Sequence, residues 1–412
     1  MNRIQHLSTQ VNNCTPVPAK SDNDVVICGA VRTPLTKAKK GLLRDTPPEV
    51  LLSTAFAGLL QRTKVDPKLI QDIVVGNVNQ PGSGAITSKM AAFLAGFPDT
   101  TCLTAINRFC SSGIEACAVI AAKIRTGMLD IGIGAGVEQM SMYDMQSQMN
   151  AELLSDAIFD HPCARDCLLG MGQTSENVAA QFGITRLQQD KFAYESQQKA
   201  YKAQSEGLYK DEIIPVKTTI KDGEKTKEVT VTEDDGIRKE TTLEGLGKLK
   251  PAFGKDGSTT AGNSSQVTDG AAAVLLARRS VAKKLGLPIL GRFLDYTVAG
   301  VPPGIMGIGP AAAIPQLLQR NSLKPNDICI YEINEAFASQ SVYCVEKIGI
   351  DPTRVNPKGG AIALGHPLGC TGARQVATLL PEMKRKKAKY GVISMCIATG
   401  MGAAALIENE QN

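Results

Sequence analysis

Residues 359–372 read GGAIALGHPLGCTG and place His366, one of the chain's three histidines, among five glycines. Glycine at that density implies turns closed to other residues or something pressed against the main chain. Glycines that let backbone and substrate approach His366 would satisfy both. A neutral imidazole is the natural base for a thiol, and Cys110 in INRFCSSGIEACAVIAAKIRTG stands between a strand-like and a helix-like run ending near Gly127. A helix N-terminus there would lower the thiol pKa and expose the sulfur. Cys396, in SMCIATGMG, ends an apolar run at a second small-residue turn. Asn334 and Glu335, in YEINEAFASQ, could cap a helix, or the amide could hold a water or an oxyanion beside a cleft. A cysteine is more often a small buried hydrophobe, and a lone histidine more often structural.

The elements that must position these groups follow a β/α rhythm. From Asp24, short β-branched runs (VVIC, DIVVGNV, CLTAIN, DIGIG) alternate with helix-like segments, which predicts a mainly parallel sheet in an α/β fold. After about Met140 the rhythm fails. Met140 to Ser264 is richer in polar residues, reads as an inserted and mostly exposed domain, and contains a hairpin turning at Asp222-Gly223. The rhythm returns with AAAVLLARR, PILGRFLDYTVAG, DICIYEINEAF and YGVISMCIATG. The division is therefore 1–23 as a leader, 24–145 as a first α/β half completed by 265–287, 146–264 as the insertion, and 288–412 as a second half. Two similar halves about a pseudo-twofold axis would turn both helix N-termini toward one cleft.

Composition narrows the function. At 412 residues and 43% hydrophobic the chain can bury a sizeable core. No apolar stretch offers the roughly 20 uninterrupted residues of a membrane span. A net charge of +5, 4% aromatics and no Trp argue against a nucleic-acid partner. Eleven cysteines without a CxxC pair suggest neither a disulfide framework nor a zinc site, so no metal is expected.

NRFCSSG, NEAF, GHPLGCTGARQ and CIATGMG, in this order, resemble the four active-site loops of the thiolase family, and TAGNSSQVTDGAAAV resembles a further thiolase segment near coenzyme A. The resemblance runs from about Asp24 to Glu408. It implies a five-layered αβαβα core of two repeated halves, a loop domain between them that binds coenzyme A, and a homodimer or a tetramer. It also implies that Cys110 takes the acyl group and His366 deprotonates it. Asn334 would position a water that stabilises the thioester oxygen with His366, and Cys396 would move the proton at the acetyl carbon or the incoming thiol. The backbone N–H groups of Cys110 and Ala398 would form a second oxyanion hole. Ser265, Arg238 and Phe253 match positions that contact coenzyme A, and Met171 and Met306 are substrate-binding candidates. Acyl-CoA and coenzyme A are then substrates, and no further cofactor is expected.

Within the family, LLGMGQTSEN, with Gly170 before Met171, resembles degradative 3-ketoacyl-CoA thiolases rather than those specialised for acetoacetyl-CoA. Arg3-Ile4, five residues, then Gln10-Val11 resembles their N-terminal peroxisomal signal, which implies an import receptor as partner and the peroxisome as location. The implied activity is cleavage of 3-oxoacyl-CoA by coenzyme A in fatty acid β-oxidation. The alternatives are an acetoacetyl-CoA thiolase working in the condensing direction and a non-catalytic acyl-CoA or lipid carrier. Two departures stand out: Ala398 where the family commonly has Gly, and Phe109 where it commonly has Gln. An ordinary negative φ is expected at Ala398, and Cys167, in ARDCLLGMG, is a candidate disulfide partner for an acidified Cys110.

Overall fold

The computed structural model describes residues 16–145, 153–223 and 225–411. The first part contains β1 (Val25–Arg32), β2 (Thr36–Lys37), α1 (Pro48–Thr63), β3 (Asp72–Gly76), α2 (Ala85–Leu94), β4 (Cys102–Ile106), α3 (Ser112–Arg125) and β5 (Ile131–Gln139). The polar middle segment contains the longer helices α4 (Met171–Phe182) and α5 (Arg186–Ser205) and the hairpin β6 (Val216–Asp222) and β7 (Lys225–Val231), which turns where the sequence predicts. The chain then returns through β8 (Thr268–Arg278). The last part contains β9 (Gly291–Gly300), α6 (Gly309–Arg320), β10 (Ile330–Ile333), α7 (Ala338–Ile348), α8 (Leu368–Arg385), β11 (Tyr390–Ile397) and β12 (Met401–Asn409). Only helices of ten residues or more are numbered.

The strands line up as β10-β11-β12-β9-β1-β8-β5-β3-β4, with β2 on β8. The expectation of a mainly parallel sheet is corrected. Only β3/β4, β3/β5 and β10/β11 pair in parallel; the other neighbours are antiparallel. The reason is connectivity: β8 returns from the insertion against both β1 and β5, and β11 turns straight back into β12. Short pairing of Val26 and Ile27 in β1 with Arg292 and Gly291 in β9 joins the two half-sheets.

Alternation along the strands sorts the core into layers. Ile27, Val74, Val274 and Leu276 face a central cluster that also holds Ile114 and Ile120 of α3, Val376 and Leu379 of α8, and Ile393 and Ala405 of the second half-sheet. Their neighbours Val26, Ile73, Val75 and Leu275 face outward onto Leu52 and Phe56 of α1. Tyr331, Val392 and Leu406 likewise face Ile314 and Leu317 of α6. Helix, sheet, paired central helices, sheet, helix make the five layers of an αβαβα core.

The central helices touch along their N-terminal turns. A Cβ on Gly113 would lie 2.7 Å from the Gly369 carbonyl oxygen, and one on Gly372 would lie 2.3 Å from Ile114 N. This changes the reading of the glycine-rich stretch: Gly369 and Gly372 let α8 press on α3 and the first half-sheet rather than admit substrate.

The middle segment is less exposed than its composition suggests. The buried face of α5 carries Gln189, Asp190, Ala193, Ser196, Gln197 and Ala200. Each of the four polar groups is bonded: Asp190 to Arg186 and Asn263, Ser196 to Glu335, Gln197 to the Ile362 carbonyl, and Gln189 to Ser258. Paired polar groups can be buried without large cost, and hydropathy reads them as surface.

The proposed signal in residues 3–11 lies outside the described residues. The chain just after them is tied to the body: Val17 packs on the outer cluster of the second half, and Arg292 donates to the Pro18 and Ala19 carbonyls at 2.8 and 3.4 Å.

Candidate active site

Cys110 sits in a single 3₁₀ turn, Phe109–Ser111, between β4 and α3. Phe109 is held at φ 46°, a left-handed conformation that costs a non-glycine residue roughly 1–2 kcal/mol. The turn is clamped on both sides. Phe109 N donates to Asn107 Oδ1 at 2.8 Å, Arg108 N to Ser112 Oγ at 2.8 Å, and Ser112 Oγ to the Phe109 carbonyl at 2.7 Å. The sulfur lies in an apolar cluster with Val78, Met140 and Leu368, the last from the first turn of α8. Cys110 is 8% exposed, and burial pushes its thiol well above the ordinary range, with the Cys396 thiol adding to the effect. The backbone N–H groups of Ala398 and of Cys110 itself act the other way without prevailing. The expected acidified thiolate is thereby corrected for the resting site: desolvation outweighs the two backbone N–H groups that favour the thiolate.

His366 is held in place by its backbone and by both ring nitrogens. Gly365, at φ 101°, turns the chain so that His366 N donates to the Gln266 carbonyl at 2.9 Å. The ring spans two partners, with Nε2 3.3 Å from Asn334 Nδ2 and Nδ1 2.6 Å from Thr371 Oγ1. The Asn334 amide is a donor there, so Nε2 accepts and Nδ1 carries the proton and donates to Thr371. Burial, with a smaller effect from the Arg374 charge, lowers the His366 pKa to about 3. The ring is neutral at physiological pH, with its lone pair on the Asn334 side.

Asn334 follows β10 and prolongs its pairing by donating from N to the Ser394 carbonyl at 2.9 Å. It does not cap a helix, because α7 starts four residues later, at Ala338. Its Oδ1 is buried and has no hydrogen-bond partner in the protein. Glu335 is also no cap. It is buried and accepts from Ser196 Oγ, Asn356 Nδ2 and Ile362 N, which ties the insertion to the loop before His366.

Cys396 is the next-to-last residue of β11, fully buried, with its Sγ 3.0 Å from Gln340 Oε1. Burial pushes its pKa up to about 12. Ala398 is absent from the left-handed residues; Thr399, at φ 65°, and Gly400, at φ 92°, make the turn into β12 instead. The Ala398 N–H is therefore presented to Cys110 by an ordinary backbone.

Met306, Ala336, Phe337 and Cys396 form one apolar cluster, and Met171 packs against it. Phe253 makes an edge-to-face contact with Phe337, centroids 6.1 Å apart, and is 44% exposed. Ser265 N donates to the Ala336 carbonyl at 2.9 Å. Arg238 stands exposed on the insertion, its N donating to Gln197 Oε1 at 2.8 Å. Cys167 is exposed, with its Sγ directed at the Cys163 carbonyl, and all the described cysteines are free thiols. Among the described residues no helix is long and apolar enough to cross a membrane, and no three His, Cys, Asp or Glu side chains gather as a metal site.

Three residues escaped the sequence reading. Thr371 fixes the imidazole, Gln340 meets the second thiol, and Glu138, at the end of β5, accepts from Val78 N, Asn79 N and Gly369 N at 2.9–3.1 Å. Burial raises the Glu138 pKa to about 7. A lone acid ending the apolar run IGIGAGV was its signal. A hydroxyl one turn into α8 and an amide one turn into α7 were the signals for Thr371 and Gln340.

A five-layered core with two thiols, an imidazole and an amide at the ends of its strands and central helices defines an acyl-transfer enzyme of the thiolase type. Residues 25–280 match the family model "Thiolase, N-terminal domain" and residues 287–409 match "Thiolase, C-terminal domain", and the chain belongs to the thiolase family. It is 57% identical over 397 residues to the peroxisomal 3-ketoacyl-CoA thiolase A of Rattus norvegicus, covering 96% of this chain and 91% of that one. The dimeric peroxisomal thiolase of Saccharomyces cerevisiae superposes with a TM-score of 0.89 at 48% identity, covering 96% of this chain and 99% of that one. Human mitochondrial 3-ketoacyl-CoA thiolase, solved in complex with CoA, superposes with a TM-score of 0.84 at 35% identity, covering 94% and 98%.

Proposed function

We propose that the chain is a peroxisomal 3-ketoacyl-CoA thiolase that cleaves 3-oxoacyl-CoA with coenzyme A to acetyl-CoA and a shortened acyl-CoA. What carries the reading is the neutral His366 ring held between Asn334 and Thr371, together with the Ala398 N–H offered to the Cys110 sulfur. His366 Nε2 takes the Cys110 proton as the sulfur attacks the 3-keto carbon. The C2–C3 bond then breaks, and its electrons pass to the acetyl-CoA enolate.

Cys396 gives its proton to C2 of that enolate. Asn334, whose Oδ1 is free to hold a water, and His366 stabilise the enolate oxygen, and the N–H groups of Cys110 and Ala398 stabilise the oxygen on the Cys110 side. Coenzyme A then loses its thiol proton to the Cys396 thiolate and attacks the acyl-enzyme, and the expelled Cys110 sulfur takes its proton back from His366. Residues 146–264 are the coenzyme A-binding domain, inserted between a first half of 24–145 with 265–287 and a second half of 288–412. Ser265, Arg238 and Phe253 contact coenzyme A, and Met171 and Met306 line the acyl side. No other cofactor is required.

The chain works as a homodimer. The exposed edge strand β4 and the apolar stripe Ile86, Met90, Phe93 and Leu94 of α2, exposed by 73, 52, 48 and 66%, support that assembly. Residues 3–11 are read by a peroxisomal import receptor, within the leader 1–23. The test is coenzyme A-dependent loss of 3-ketoacyl-CoA absorbance with acyl chains from about four to about sixteen carbons. Turnover at several lengths is expected; turnover of acetoacetyl-CoA alone would favour the condensing alternative, and binding without turnover would favour a carrier.

A further inference from the structure

Gln340 lies in the first turn of α7 and is 1% exposed, with its amide between two groups of the site. Nε2 donates to the Asn334 carbonyl at 3.1 Å, and Oε1 lies 3.0 Å from Cys396 Sγ. The first bond fixes the second. Turning the amide over would set Oε1 against the Asn334 carbonyl, two acceptors face to face in a buried site. The oxygen is therefore held toward the sulfur, and an amide oxygen can only accept.

We propose that Gln340 is a positioning residue for the second thiol, keeping Cys396 as an oriented S–H donor at rest and returning it to that form after each transfer. The inference rests on the thiolase reading and assigns how its proton donor is set. During cleavage the Cys396 S–H bond breaks and a C–H bond forms at C2 of the enolate, while the S–H electron pair remains on sulfur. The resulting thiolate faces a carbonyl dipole of the wrong sign. That contact is relieved when coenzyme A S–H transfers its proton to Cys396 and leaves as the attacking thiolate.

The titratable groups facing Cys396 are the thiols of Cys110 and Cys344. Cys344, on α7, directs its Sγ away to the Gly307 carbonyl at 3.5 Å, and Cys110 belongs to the opposite loop. Neither competes for the Gln340 oxygen. His366 reaches the arrangement only through Asn334, the residue whose carbonyl anchors the Gln340 amide.

Deuterium incorporation into the acetyl methyl of acetyl-CoA in D₂O, with Cys110 alkylation by iodoacetamide as a parallel readout, tests this. In Gln340→Met, exchange should fall about a hundredfold while the alkylation rate stays within about threefold of wild type, because one proton-transfer group is disoriented and the nucleophile is untouched. Gln340→Glu supplies a readout that a packing role would not move. A protonated carboxyl reproduces both bonds, with O–H donating to Asn334 and C=O accepting from Cys396, whereas the carboxylate still accepts from the Cys396 S–H but cannot donate to the Asn334 carbonyl, and it sets a full negative charge against the thiolate left by each transfer. Exchange by this variant should approach wild type at acid pH and fall about tenfold per pH unit above the carboxyl's pKa, a limb that wild type lacks. Gln340→Met exchange within about threefold of wild type, or a Gln340→Glu profile parallel to wild type, would overturn the proposal. Cys396→Ala separates the two readings: if it retains exchange, the thiolase reading of Cys396 fails; if it loses exchange while Gln340→Met does not, only the role of Gln340 fails.

Discussion

Thr371→Val removes the acceptor that fixes the His366 ring and leaves the side-chain shape almost unchanged. In the native chain Nδ1–H donates to Thr371 Oγ1 at 2.6 Å in a site where the ring is 5% exposed. Without that oxygen the buried N–H has no partner, which costs about 1–3 kcal/mol. The ring can escape the cost by moving its proton to Nε2, but then it cannot accept the Cys110 proton. The penalty becomes a reduced population of the competent tautomer, and kcat/KM for 3-oxoacyl-CoA should fall about tenfold to a hundredfold. Thr371→Ser keeps the oxygen and should stay within about threefold of wild type. Steady-state thiolysis kinetics supply the rates, and ¹⁵N chemical shifts of the imidazole report the tautomer. Wild-type kcat/KM in a folded Thr371→Val, or an equal loss in Thr371→Ser, would refute the assignment of Nε2 as the base.

Other expected outcomes follow from the same geometry. Ala398→Gly should change turnover by less than about tenfold, under ~1.4 kcal/mol of barrier, because Ala398 needs no left-handed φ; a hundredfold gain in steady-state assays would mark the alanine as an impairment. Gly372→Ala should lower the denaturation midpoint by about 3 kcal/mol of stability, since its Cβ meets the Ile114 backbone at 2.3 Å. Gly247→Ala, with nothing within 4 Å, should be neutral or slightly stabilising; equal midpoints for the two variants would contradict the helix-contact argument. The native His366 pKa of about 3 lies below its unfolded value, so the unfolded chain binds this proton first and stability is lost as pH falls through 6.5. Relative to His366→Gln, wild type should lose roughly 2 kcal/mol between pH 7.5 and 5 in urea titrations, and a constant difference would show a solvated ring.

Much of the site was legible because its groups sit at the ends of elements. Cys110, Asn334 and Cys396 each follow or end a short apolar run, and His366 directly precedes a helix, so the sequence order of strand, turn and helix exposed them. Buried partners could not be read in that way. Thr371 and Gln340 lie inside amphipathic helices, where a hydroxyl or an amide looks like surface until the opposing side chain is known. The direction of the strands was misjudged for a related reason. Val25 to Arg32 and Thr268 to Arg278 are buried on both faces and read alike in either orientation. The acidified Cys110 failed on burial: a helix terminus is visible in sequence, but the desolvation that pushes the thiol up depends on Val78, Met140 and Leu368 from three separate segments.

The central claim is that Cys110 carries the acyl group while Cys396 stays a thiol. Enzyme mixed with a 3-oxoacyl-CoA in the absence of free coenzyme A, quenched in acid within the first turnover and mapped by peptide mass spectrometry, tests it directly. The account predicts a stoichiometric shortened acyl group on the peptide containing Cys110, release of an equal amount of acetyl-CoA, and loss of the adduct when coenzyme A is added. An acyl group on the Cys396 peptide, or acetyl-CoA release with no adduct on Cys110, would contradict it.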